Sequence, residues 1–156
     1  MKEQIKKLDL KAGLLICAAL IAYFLLMRYL DLVQIVELRA FNFVILFFGI
    51  ILTFRYYKAH FDSEIDYFRG FVLGIFTSLY AVIPFALFVF FYLWKIEPGL
   101  VLELKSRSFF MGVEITAEKA AETVLIEGIV SGVLITYVMM QFYKSEIRTT
   151  VNNEHY

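Results

Sequence analysis

The chain has 156 residues, of which 61% are hydrophobic, and it includes 17 Phe and 10 Tyr. A soluble domain of this size cannot bury so much apolar surface, so the composition predicts a membrane protein. The 15 basic and 15 acidic residues give no net charge, which argues against a nucleic-acid partner. The single cysteine, Cys17, excludes an intrachain disulfide and a cysteine-based metal site.

The N-terminal segment is the first candidate membrane helix. Four lysines precede its apolar run, as in a signal peptide, but no small-x-small cleavage motif follows before Arg28. We therefore predict an uncleaved helix over Ala12–Leu30. The guanidinium of Arg28 can then extend to the membrane surface at the end of that helix.

Three further segments are long enough to cross a hydrocarbon core about 30 Å thick, which takes about 20 apolar helical residues. They are Leu38–Tyr57, Gly70–Trp94 and Thr123–Tyr143. Thr116 is a typical N-cap and Glu118 suits a first turn, so the fourth helix should begin near Ala117. The predicted helices cover about residues 12–30, 38–57, 70–94 and 117–147 of a single membrane domain, 1–156, with an outer loop at 95–116.

These segments predict an all-α polytopic membrane protein with four transmembrane helices in an antiparallel bundle. The sequence has no alternating β pattern, and the apolar runs are too long for barrel strands. With the N-terminus inside, the cytoplasmic segments hold nine Lys and Arg residues and the outer loops hold six. The positive-inside rule therefore favours an N-in/C-in orientation in a bacterial inner membrane.

Two stripes of small residues indicate where helices pack. In lipid, helices gain little from burying apolar area, so small residues that let backbones approach mark the contact faces. We expect these stripes to serve ordinary helix packing more than contacts between oligomer subunits. The stripe of the third helix is Gly70, Gly74 and Ser78, and that of the fourth is Gly128, Gly132 and Thr136.

Pro84 lies near the middle of the third apolar segment. A proline has no backbone N–H, so the carbonyl of Tyr80 loses its helical partner and the helix is predicted to be kinked there. A kink can act as a hinge, but more often it only shapes a bundle. We adopt the second interpretation.

Glu127 lies inside the fourth apolar run, VLIEGIVSGVLITYVMMQF. Counted from Thr123 it is four residues, or roughly 6 Å, below the outer surface. Arg28, Arg39 and Asn42 are expected at a similar depth. We predict that Glu127 pairs with one of these arginines or is hydrogen-bonded by Asn42. Such a cluster either fixes helix register or provides a group that titrates or binds a cation or a partner, since an intramembrane acid indicates function by default.

Motifs of enzymes and cofactor sites are missing from the sequence. His60 and His155 stand apart and belong to no helical His/Glu motif. No nucleophile elbow, phosphate-binding glycine loop or dinucleotide fingerprint occurs. We therefore expect no enzyme activity, no metal and no cofactor.

The middle of the chain combines three features: the basic-aromatic segment RYYK, a Gly-rich third helix that begins EIDYFRGFVLG, and the acidic-Pro turn IEPGL. This arrangement resembles a bacterial family of small four-helix membrane proteins classed as a domain of unknown function. The matching positions are Tyr56, Tyr57, Lys58, Tyr67, Gly70, Gly74, Glu97 and Pro98. The resemblance implies four membrane crossings and brings no activity, substrate or catalytic residue.

Two functions fit these observations better than an integral membrane enzyme does. The first is a non-catalytic subunit or scaffold of a larger inner-membrane assembly, with the lipid bilayer and other membrane subunits, or further copies of the chain, as partners. The second is a small oligomeric transporter or channel that uses Glu127 as its titrating group. The small size and the packing stripes favour the first hypothesis.

Overall fold

The structure is a computed structural model. It describes residues 2–32, 36–61, 67–101 and 116–153, with side chains over 7–32, 40–60, 68–101 and 116–142. Four long helices make up the described chain: α1 (Lys2–Tyr29), α2 (Val36–Phe61), α3 (Tyr67–Phe91) and α4 (Ala117–Asn153). No strand occurs among the described residues, and the predicted all-α class is confirmed.

Four helical segments of the described chain are long and apolar enough to cross a membrane. These segments are Lys7–Tyr29, Ala40–His60, Phe68–Ile96 and Ala117–Phe142. Large apolar side chains also face outward, such as Leu15, which is 73% exposed, and Phe48, which is 58% exposed. An outward apolar face is expected where the solvent is lipid. The prediction of four helices able to cross a membrane is confirmed.

A helix extends beyond its predicted apolar limits where the flanking polar residues also favour helical structure. α1 begins at Lys2 instead of near residue 12, because the residues up to Lys11 include neither Gly nor Pro and are mostly good helix formers. α4 begins at Ala117. The hydroxyl of Thr116 accepts a hydrogen bond from the Lys119 amide at 3.3 Å, so the predicted N-cap is confirmed.

A left-handed residue ends α1. Asp31 has φ of 57°, a conformation that most residues with a Cβ avoid. The amide of Leu32 donates to the Met27 carbonyl at 2.9 Å, which is the long-range bond of a Schellman motif. This cap satisfies a terminal carbonyl of α1 and turns the chain toward α2.

α3 contacts all three other helices, with its largest contacts to α1 and α4. α1 also packs on α2, where a Cβ added at Gly49 would lie 2.5 Å from Cγ1 of Ile16. The core is continuous across the bundle. Its most deeply buried side chains include Ile50 and Phe54 of α2, Leu73 of α3, and Ile135 and Met140 of α4.

Pro84 lies within α3, which continues through it to Phe91. The kink expected at Pro84 stays a prediction. Beyond Phe91 the chain forms a π-helical turn, Tyr92–Ile96, in which the Glu97 amide donates to the Tyr92 carbonyl at 2.9 Å. This wider turn sets the direction in which Glu97 leaves the helix.

Candidate functional site

The two stripes of small residues pack against each other. A Cβ added at Gly132 would lie 2.5 Å from the Cβ and Oγ of Ser78, and one added at Gly74 would overlap the side chain of Thr136. Residue numbers on α3 therefore fall along this contact as those on α4 rise. The stripes are used within the chain, in a seam where the two helices touch closely.

Hydroxyl groups buried in this seam are bonded to their own helices. Ser78 donates to the Ile75 carbonyl at 2.8 Å, and Thr136 donates to the Gly132 carbonyl at 2.7 Å. Such bonds to earlier carbonyls are typical of Ser and Thr in helices. The seam therefore buries these two hydroxyls with their hydrogen-bond donors satisfied.

A pocket lies where the four helices meet, and we call it the mid-bundle pocket. It has a volume of about 30 Å³. A water molecule needs at least about 10–15 Å³, so the pocket admits one or two waters or a small ion but no organic substrate. Its lining is mainly apolar, and the polar members are Asn42, Glu127 and Ser131.

The pocket lies level with the middle of the third candidate span. Gly128 packs on Val82, which is at the middle of the third span, Phe68–Ile96. The predicted depth of Glu127 was counted from Thr123, but the apolar span starts six residues earlier. Glu127 is thus ten residues, or about 15 Å, from the start of its span. This distance exceeds the roughly 6 Å counted from Thr123 because the candidate span includes the charged turns 117–122, and the depth of Glu127 in a membrane stays a prediction.

Two polar side chains of the pocket differ in their surroundings. The Oδ1 atom of Asn42 is buried and has no hydrogen-bond partner among the described residues. The side chain of Glu127 is exposed at the edge of the pocket and also has an interaction within the chain. These two groups can therefore accept hydrogen bonds from one small polar group that enters the pocket.

Arg28 belongs to a second cluster, beyond the end of α3. Its Nε donates to Glu97 Oε2 at 2.7 Å, its Nη2 donates to Glu97 Oε1, and its Nη1 donates to Asp31 Oδ1 at 2.9 Å. The Tyr92 hydroxyl donates to Glu97 Oε2 at 3.1 Å. The hydrogen bond from Arg28 lowers the pKa of Glu97. This cluster joins the ends of α1 and α3 through a two-point contact.

Two residues of the predicted polar cluster share a pocket, and a third belongs to the other cluster. Asn42 and Glu127 line the same pocket, as expected from a shared depth. The described bonds of Arg28 are with Glu97 and Asp31. The side chain of Arg39 lies outside the described side chains. The pairing of Glu127 with an arginine stays a prediction.

Sequence reasoning missed a buried acid near the start of α1. Asp9 is only 5% exposed, and its Oδ1 has no hydrogen-bond partner among the described residues. In the sequence it lies between lysines and looks like part of a charged tail. The available signal was Gly13, one turn later, which marks a close helix contact on the same face. Thr77 also has a fully buried, unpartnered hydroxyl among the described residues.

Metal-binding chemistry is not concentrated anywhere in the described part of the chain. No group of three His, Cys, Asp or Glu side chains there could hold a metal ion. Cys17 is buried as a free thiol in the core. The described residues can thus bind a ligand through hydrogen bonds and carboxylate groups within an apolar bundle.

Comparisons with known proteins give no relative from which a role could be transferred. No protein-family model matches the chain, and no curated protein or solved structure matches it significantly.

Proposed function

We propose that this protein is a non-catalytic subunit or scaffold of a larger bacterial inner-membrane assembly. In this proposal the four helices form an antiparallel bundle with both termini in the cytoplasm. The order of the seam contacts supports opposite directions for α3 and α4. The excess of nine Lys and Arg residues over six supports the orientation.

The observation that carries the proposal is the exposed Glu127 near the middle of the fourth span. Its neighbours on the outer face of α4 are apolar, with Ile126 63% and Val130 52% exposed. A carboxylate at such a depth is costly unless it is paired or hydrogen-bonded. Glu127 makes an interaction within the chain, and a carboxylate offers about four acceptor positions in all.

The kind of partner follows from this chemistry. A transmembrane helix with a Lys, Arg or other donor side chain at the same depth would hydrogen-bond Glu127 and cover the apolar face around it. The small-residue stripes are already used between α3 and α4. Association in our proposal therefore uses the outer face of α4.

Extraction of the tagged protein from native membranes in mild detergent, followed by native mass spectrometry, tests this function. We expect a stoichiometric partner to accompany the wild type and to be lost from Glu127→Gln. Glu122→Gln is the matched control, because Glu122 is an exposed acid on the same helix outside the pocket. A lone monomer from the wild type, or full retention of the partner by Glu127→Gln, would contradict the proposal.

A small oligomeric transporter or channel is the second candidate, and the mid-bundle pocket favours it. The pocket has the size of one or two waters and contains a carboxylate and an amide. Proton flux into liposomes containing the purified protein tests this function. Glu127→Gln should abolish flux and leave the oligomeric state intact. Equal flux from the wild type and Glu127→Gln would exclude the transport role of this residue.

A further inference from the structure

Asp9 is a carboxyl group buried within a membrane span. It is the third residue of the span Lys7–Tyr29, and only 5% of it is exposed. Its Oδ1 is fully buried without a hydrogen-bond partner among the described residues. An ionised carboxylate in an apolar environment is far more costly than the neutral acid. The burial of Asp9 therefore requires a cation or a proton.

Thr77 differs from other buried hydroxyl residues of the bundle. Thr53, Ser78 and Thr136 donate to a carbonyl three or four residues earlier in their own helices, at 2.7–2.8 Å. Thr77 is fully buried, and its Oγ1 has no partner among the described residues. A hydroxyl in a helix usually donates to a carbonyl of the preceding turn. The Thr77 hydroxyl makes no such bond among the described residues, so it can bind another group.

Gly13 brings the helices of Asp9 and Thr77 together. A Cβ added at Gly13 would lie 2.9 Å from the Thr77 carbonyl oxygen. Asp9 precedes Gly13 by one turn, about 6 Å, on nearly the same face of α1. Phe24, further along α1, packs on Phe88 of α3, so residue numbers on the two helices rise together. Asp9 and Thr77 therefore belong to the same region of the α1–α3 contact.

We propose that Asp9 and Thr77 form a proton-binding site inside the membrane. Asp9 takes up one proton from water and becomes a neutral carboxylic acid. The two side chains are not bonded to each other in the structure. The acid and the hydroxyl are each both donor and acceptor, so a hydrogen bond formed between them by side-chain rotation would satisfy the two buried oxygens. The site is separate from the mid-bundle pocket, and it requires no partner protein.

Other titratable groups at this end of the bundle differ from Asp9 in exposure. Among the described side chains they are Lys7 and Lys11 on α1, Arg55, Tyr56, Tyr57, Lys58 and His60 on α2, Arg69 and Tyr80 on α3, and Tyr137 on α4. Of these, Tyr57 is buried and the others are exposed. A lysine that extended inward to Asp9 would favour the ionised carboxylate. The experiment must therefore distinguish a protonated acid from an ion pair.

A hydrophobic carbodiimide provides the first measurement, because it modifies protonated carboxyl groups in apolar surroundings. The wild-type protein in lipid nanodiscs is treated at neutral pH, and the modified peptides are mapped by mass spectrometry. We expect modification of Asp9 and none of Glu118, an exposed acid in the first turn of α4. This measurement needs no variant of Asp9, so it does not depend on whether such a variant folds.

Infrared spectroscopy provides the second measurement. The carbonyl stretch of a protonated carboxylic acid should disappear in Asp9→Asn. Thr77→Val keeps the shape of the side chain but removes its hydroxyl, and it should shift the frequency of this band. Thr53→Val is the matched control, because the Thr53 hydroxyl already donates to Gly49, and it should leave the band unchanged.

Three results would overturn the proposal. Absence of carbodiimide modification at Asp9, together with absence of the carbonyl band of a protonated acid, would show that the carboxyl is ionised. Protection of Asp9 by Na⁺ at constant pH would make the site a sodium site instead. A band that responds equally to Thr77→Val and Thr53→Val would remove Thr77 from the site.

Discussion

Gly132 should not tolerate a larger side chain, because the α3–α4 seam leaves no room for a Cβ. A Cβ at this position would lie 2.5 Å from the Cβ of Ser78. Carbon atoms in good contact are about 3.5–4.0 Å apart, so the two helices would have to separate by roughly 1 Å or more. A gap of that size removes about a quarter to a half of the dispersion attraction of each neighbouring contact.

We therefore expect Gly132→Val to lower the free energy of unfolding by about 2–3 kcal/mol, near the upper end of overpacking effects. In a protein of about 150 residues this corresponds to a fall in Tm of roughly 4–12 °C. Thermal unfolding in detergent, followed by circular dichroism, measures the change. Gly99→Val is the control, because a Cβ there meets no atom within 4 Å.

A second substitution tests the cause directly. Ser78→Gly removes the side chain that the introduced valine would meet, so it should restore part of the stability lost in Gly132→Val. The double-mutant cycle should give a favourable interaction energy of about 0.5–3 kcal/mol. If Gly132→Val is as stable as Gly99→Val, or if Ser78→Gly gives no rescue, the close contact does not limit packing at this position.

Three further predictions concern the helix ends. Glu97→Gln should lower the free energy of unfolding by about 1 kcal/mol. Because the hydrogen bond from Arg28 lowers the pKa of Glu97, the difference from wild type should be full above pH 4.5 and vanish as pH falls through the lowered pKa. A difference that stays constant down to strongly acidic pH would refute this. Asp31→Val should lower the free energy of unfolding by about 1–2 kcal/mol because φ is 57°, whereas Asp31→Gly should be tolerated. Equal Tm values for the two variants would contradict the left-handed cap. Thr116→Ala should cost about 0.5–2 kcal/mol and Thr116→Ser should not, as measured by thermal unfolding. Equal Tm values for the two variants would contradict the cap on the Lys119 amide.

The helices themselves could be predicted well from the sequence, because crossing a hydrocarbon core imposes a length and a composition that are local properties. The N-cap at Thr116 was found for the same reason, since capping depends on neighbouring residues. The stripes were also visible in the sequence. Their contact with each other was not, because the spacing of small residues marks a face without specifying what packs on it.

Contacts between distant residues were harder to predict. Arg28 and Glu97 are 69 residues apart, and nothing in the local sequence of either selects the other. The depth of Glu127 depends on whether the count begins at Thr123 or at Ala117, where the candidate span starts, and it stays a prediction. Asp9 was overlooked because its charge resembles that of a polar tail shared with the neighbouring lysines, and only the packing of α1 on α3 reveals that it is buried.

The ion pair between Arg28 and Glu97 also orders events during synthesis. The ribosome adds about 5–20 residues per second. Glu97 follows Arg28 by 69 residues, so it is made roughly 3–14 seconds later. The first carboxylate made after Arg28 is that of Asp31, which Arg28 also bonds in the folded chain. The ends of the first and third helices are thus joined only after the second and third helices have been made, and a chain truncated before Glu97 lacks this contact.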